Sequence, residues 1–126
     1  SGYSPQGMWS MDIQDNSGTA SSFWLTNGID VATPGYTQIQ VDFSFRAVSM
    51  ENGEDFFVQY FNGSTWQTVA TYVRPTHFAN GTVYDASVLI EESSHTFPTN
   101  MRIRFMCDAS DNNDDVYIDE IRISAK

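Results

Sequence analysis

The sequence predicts an all-β fold, a two-sheet antiparallel β-sandwich, and three observations predict it. Apolar residues recur at every second position in segment after segment. Glycine- and asparagine-bearing turn signals separate those segments. No stretch carries the apolar spacing of an amphipathic helix.

The strands can be read in order. Trp9, Met11 and Ile13 alternate with Ser10, Asp12 and Gln14, and residues 22–26 form a second short run. The clearest case is 37–48, where Ile39, Val41, Phe43, Phe45 and Ala47 share one face. Gln38, Gln40, Asp42, Ser44 and Arg46 share the other, the pattern of a strand with one side in a core and one in water. Residues 55–61 and 65–73 flank Asn62-Gly63-Ser64, a hairpin signal. Residues 82–90 place Tyr84, Ala86, Val88 and Ile90 together, and 101–107 place Met101, Ile103, Phe105 and Cys107 together. Asn27-Gly28, Pro34-Gly35, Asn52-Gly53 and Asn80-Gly81 mark further turns. Residues 116–124 close the chain and bring the total to about eight strands, the number of a jelly roll.

A length of 126 residues suits one domain spanning 1–126. Sixteen acidic residues against six basic ones give a net charge of −10, which repels phosphate backbones and anionic lipid. Nucleic acid is therefore not expected as a partner, and no apolar run is long enough for membrane insertion. The single cysteine, Cys107, excludes an internal disulfide and shares the parity of Phe105, so it reads as a small buried hydrophobe. The polar, uncharged style of the strands suits an extracellular, secreted protein. The opening Ser1-Gly2-Tyr3-Ser4-Pro5 reads as a piece cut from a longer chain.

Catalytic signatures are missing from the sequence. His77 and His95 fall in different loops without metal-ligand spacing, and neither a nucleophile elbow nor a glycine-rich phosphate loop occurs. The expectation is a binding protein, not an enzyme. Arg46, Arg102 and Arg104 lie on the polar faces of their strands, and a guanidinium fork suits carboxylate or sulfate groups. If Phe56, Val58 and Tyr60 are core, then Phe57, Gln59 and Phe61 face outward beside them. Aromatic rings next to hydrogen-bonding side chains make a sugar platform. The plainer alternative pairs the arginines with local acids such as Asp42. Trp24 and Trp66 are also candidates for the platform, although core is the commoner fate of large aromatics in sandwiches.

The last strand reads V-Y-I-D-E-I-R-I-S and can be phased two ways. If Ile121 and Ile123 face the core, Asp119 points inward too. A buried carboxylate needs a cation or a set of backbone donors. Alternatively a bulge at Asp119 switches the phase and leaves the carboxylate in solvent. The preceding loop 108–115 packs Asp108, Asp111, Asp114 and Asp115 with two asparagines, a set suited to calcium or, equally, a solvated turn. The cluster Glu51 to Asp55 offers Glu54 as a further ligand at a sandwich end or, equally plainly, is a soluble turn.

The ending Asp114-Asp115-Val116-Tyr117-Ile118-Asp119-Glu120-Ile121 resembles the close of many extracellular jelly-roll modules. These are carbohydrate-binding modules and MAM-like domains appended to secreted enzymes and adhesins. Residues 15–19, 49–56 and 59–66 resemble segments of MAM-like modules in marine bacterial hydrolases and proteases. The resemblance implies a structural calcium held by Asp119, with Asp15 the nearest match to an amino-terminal ligand. The combined expectation is a non-catalytic carbohydrate-binding module. It carries calcium (Asp119, Asp115, Asp15, Glu54) and a glycan face (Arg46, Phe57, Gln59, Arg102, Arg104), and it targets a secreted enzyme to a sulfated or carboxylated polysaccharide. The second reading is a MAM-like adhesion or surface-fibre module that contacts another protein. The third is a folding or targeting appendage of a protease. Asn62-Gly63-Ser64 and Asn80-Gly81-Thr82 are glycan sequons only in a eukaryotic secretory host.

Overall fold

A computed structural model describes residues 4–14, 21–24, 28–108 and 115–126. Its strands are β1 (Ser4–Gln14), β2 (Ser21–Trp24), β3 (Gln38–Val48), β4 (Asp55–Phe61), β5 (Trp66–Val73), β6 (Val83–Glu91), β7 (Arg102–Asp108) and β8 (Asp115–Ala125). None of the described residues is helical. Two sheets form, ordered β1-β8-β3-β6 and β2-β7-β4-β5, with every named pairing antiparallel. The two-sheet antiparallel sandwich is as the alternation predicts.

Parity explains the core. In β3, Ile39, Val41, Phe43, Phe45 and Ala47 are all buried while the residues between them are not. Phe56, Val58 and Tyr60 of β4 and Ile103, Phe105 and Cys107 of β7 meet them from the second sheet. Cys107 is buried in this core, as its parity indicates. Rings dominate the centre. Phe45 lies within 6.0 Å, centroid to centroid, of Phe43, Phe56, Tyr72, Phe78 and Tyr84. Phe43 meets Phe105 edge-on at 5.1 Å. Edge-to-face and offset pairs of this kind add to the stabilisation from buried area.

The connection between β5 and β6 closes one flank. Its Phe78 is buried against Phe45 and Phe56. Asn80 fixes it to the end of β3: its side-chain oxygen accepts from the Met50 N–H at 3.1 Å and its Nδ2 donates to the Met50 carbonyl at 2.9 Å. The amide thus behaves as a piece of strand, and a glycan on its nitrogen would displace that donor.

The inward placement of Asp119 is corrected by the structure. Between the pairs Asp42–Arg122 and Ser44–Asp119, β8 spends two residues against one of β3, and it does the same against β1 between Trp9–Ile121 and Met11–Ile118. Glu120 takes φ 52°, the left-handed value that lets the extra residue fit. Val116 and Ile118 face the core before the bulge, and Ile121 and Ile123 after it. The strand uses both phases, so Asp119 and Glu120 both stay exposed. Burying four apolar side chains outweighs the strain at one residue.

Phe45→Ala is expected to cost about 3–5 kcal/mol, because it opens a cavity among five rings. Urea unfolding checks this; a loss under about 1 kcal/mol would mean that the ring cluster does not carry the core.

Candidate ligand-binding face

The outer face of β2-β7-β4-β5 is built by the residues that alternate with the core. β4 contributes Phe57, Gln59 and Phe61; β7 contributes Arg102, Arg104 and Met106. The register sets Gln59 opposite Arg104, Phe61 opposite Arg102 and Phe57 opposite Met106. Across the other edge of β4, Trp66 pairs with Phe61, Thr68 with Gln59 and Thr71 with Phe57. Side chains directly opposite one another share a face, so the rows of β7, β4 and β5 form one continuous surface.

Its centre is locked. Arg104 donates from Nε to Gln59 Oε1 at 2.9 Å, and one terminal nitrogen donates to the same oxygen. Gln59 Nε2 in turn donates to Thr68 Oγ1 at 2.9 Å. The Arg104 guanidinium carbon sits 4.2 Å from the Trp66 ring centroid, a cation–π stack. Trp66 also lies 5.5 Å from Phe61. Partial burial pulls the Arg104 pKa below its ordinary value, yet an arginine stays cationic at neutral pH. The result is a fixed positive fork on an aromatic base, flanked by hydroxyl and amide groups and by Arg102, Phe57 and Phe61. The Arg102 Nε has no hydrogen-bond partner among the described residues.

Four of the five residues expected on a ligand face therefore come together: Phe57, Gln59, Arg102 and Arg104. Arg46 does not join them. It projects from β3, on the other sheet, with its guanidinium 5.2 Å from the Tyr117 ring. Parity alone could not say which sheet β3 would enter. Trp66, a platform candidate for which core is the commoner fate, is half-buried on the outer face. The hairpin turn held the clue, because it makes Trp66 the partner of the outward Phe61.

The opposite outer face differs in sign. The Asp119–Glu120 bulge adjoins a groove of about 720 Å³ lined by Asp42, Ser44, Asp85, Ser87, Glu120 and Arg122, a surface unfavourable to anions.

The calcium ligands expected from sequence do not assemble among the described residues. Asp119 faces solvent, and its Oδ1 accepts from the Glu120 N–H at 2.8 Å. Glu54 Oε2 accepts from the Glu51 N–H at 2.6 Å. Asp115 begins β8 with Oδ1 buried and without a hydrogen-bond donor among the described residues. Asp15 and residues 109–114 lie outside the described residues. No group of three histidine, cysteine or acidic side chains suited to a metal occurs among the described residues.

No family model matches the sequence, and no curated protein matches it. Solved structures do match. A mutant of a family 29 carbohydrate-binding module complexed with mannohexaose superposes with a TM-score of 0.56 at 17% identity, over 98% of this chain and 81% of that one. The CBM36-1 domain of a multidomain xylanase from the hindgut metagenome of Trinervitermes trinervoides gives 0.51 at 11%, over 96% and 87%. The K3 adhesin domain of Lys-gingipain from Porphyromonas gingivalis W83 gives 0.55 at 12%, over 92% and 72%. The chain thus has the β-sandwich fold of carbohydrate-binding modules. The likeness is one of fold. No helix among the described residues is long and apolar enough to cross a membrane.

Asp119→Ala is expected to shift the thermal midpoint by the same small amount with calcium as with EDTA. A calcium-dependent loss confined to this variant would restore Asp119 as a ligand.

Proposed function

We propose that this chain is a non-catalytic carbohydrate-binding module that holds a polysaccharide against the outer face of β2-β7-β4-β5. A jelly-roll topology and an extracellular setting beside a secreted enzyme belong to the same proposal. The observation that carries it is the Arg104 guanidinium, fixed by Gln59 above Trp66. A sugar ring offers C–H faces to aromatic rings and hydroxyls to fixed polar groups, and this surface supplies both. Two arginines on one face of a chain with net charge −10 favour a sulfated or carboxylated polymer over a neutral one. The fold shared with a module complexed with mannohexaose supports the glycan class.

Native affinity electrophoresis in gels containing sulfated, carboxylated or neutral polysaccharide tests the reading. Retardation is expected to be strongest with an anionic polymer and to fade with added salt. Arg104→Ala or Trp66→Ala is expected to weaken binding about tenfold or more, while Arg46→Ala leaves it unchanged. Migration unaffected by every polymer, or undiminished in Arg104→Ala, would refute the proposal.

Calcium stays in the proposal only at the end of the sandwich where Asp115 begins β8. Its support is the carboxylate oxygen without a donor among the described residues. Calcium is expected to raise the thermal midpoint over EDTA, with the rise lost in Asp115→Asn. Equal midpoints in calcium and EDTA would remove the ion.

The adhesion reading is favoured only by the shared fold of the gingipain adhesin domain. Concentration-dependent association in light scattering would support it over glycan binding.

A further inference from the structure

We propose a second saccharide site, for a neutral sugar, in a cleft at the end of the sandwich away from Asp115. The inference rests on the glycan-binding reading but uses none of the residues of the Arg104 face. The cleft holds about 710 Å³ between the loop 31–37 and the loop 92–97, a size typical of ligand pockets. Tyr36, His95 and Phe97 line it and are each half-buried, so part of each ring meets solvent. Glu92, Ser94 and Thr96 complete the lining with a carboxylate and hydroxyls.

Both walls are braced before any ligand arrives. Asp30 Oδ1 accepts from the Ala32 and Thr33 N–H groups at 3.1 and 2.9 Å and fixes the turn that carries Tyr36. The Val31 N–H reaches the Pro98 carbonyl at 3.2 Å, joining the two loops. Opposite, the Glu92 N–H donates to the Thr37 carbonyl at 2.9 Å. His95 packs edge-on against Tyr60 at 5.5 Å, with Nδ1 3.2 Å from the Glu91 carbonyl. The Thr96 backbone bonds the Tyr60 oxygen, while burial pushes the Tyr60 phenol above its ordinary pKa. A cleft fixed in this way loses little conformational freedom on binding.

Its chemistry selects the ligand. Rings on the walls accept the C–H face of a pyranose, and the hydroxyls and the imidazole Nε2 exchange hydrogen bonds with its hydroxyls. Glu92 accepts from a hydroxyl pair and repels sulfate or carboxylate. The cleft and the Arg104 face therefore prefer opposite ligands, neutral against anionic.

Amide NMR titrations of the whole chain with neutral manno-, gluco- and xylo-oligosaccharides, and with a sulfated oligosaccharide, test this. At least one neutral series is expected to shift the amides of residues 35–37 and 92–97, and the sulfated one to leave them still. Affinity for the neutral sugar is expected to fall about tenfold in Tyr36→Ala and in Glu92→Gln, and to be unchanged in Arg104→Ala. Glu92 is exposed, so its variant keeps the fold even if Tyr36→Ala does not. Still cleft amides with every neutral series overturn the second site. So does neutral binding that survives Glu92→Gln intact or disappears with Arg104→Ala. If sulfated glycan meanwhile shifts the Arg104 face, the cleft alone has failed; if nothing moves anywhere, the glycan reading has failed with it.

Discussion

Side-chain alternation in paired antiparallel strands is the constraint from which the rest of this structure follows. Phe43 and Phe45 of β3 must face Phe56, Tyr72, Phe78 and Phe105 to build the core. Once they do, every intervening residue is committed to an outer face. Arg102 and Arg104 are carried outward by the burial of Ile103 and Phe105, and Gln59 by that of Val58 and Tyr60. Hydrogen bonding between β4 and β7 then brings Arg104 beside Gln59. The polar arrangement on the surface is a consequence of the apolar arrangement beneath it.

What converts this into a candidate site is rigidity. A free arginine side chain holds about 2 kcal/mol of rotamer entropy, which binding would have to remove. A stack on Trp66 contributes about 0.5–2 kcal/mol, depending on desolvation. Hydrogen bonds from a charged donor to Gln59 contribute about 1.5–3 kcal/mol. Together these offset the ordering cost within the folded protein, so a ligand meets a guanidinium already in place. The same logic separates Arg46, which stacks on Tyr117 on the other sheet, far from the hydrogen-bonding row of Gln59 and Thr68.

The fold was legible because the alternation in β3, β4 and β7 is nearly unbroken. The half-site on β4 and β7 was legible for the same reason: Phe57, Gln59, Arg102 and Arg104 follow from parity. Parity is silent about which strands are neighbours, and that is why Arg46 was grouped with arginines on a different sheet. For Trp66 the general tendency of tryptophan to be buried favours the core, although the hairpin pairing with Phe61 carries the opposite message. For Asp119 alternation leaves an inward phase and a bulge both open, because the rule by itself does not say where a residue is inserted. Two isoleucines three positions apart, Ile118 and Ile121, were the trace of that bulge. The end cleft left no mark in the sequence, because its walls are loops joined by long-range contacts such as Val31 to Pro98.

The most direct test of the central claim, that the locked Arg104 row is where glycan binds, is side-chain NMR during titration with an anionic polysaccharide fragment. The account predicts that the Arg104 Nε–H, the Gln59 amide and the Trp66 indole N–H shift together along one binding curve, while the Arg46 Nε–H stays still. Binding that moves Arg46 and leaves those three signals unchanged would contradict it.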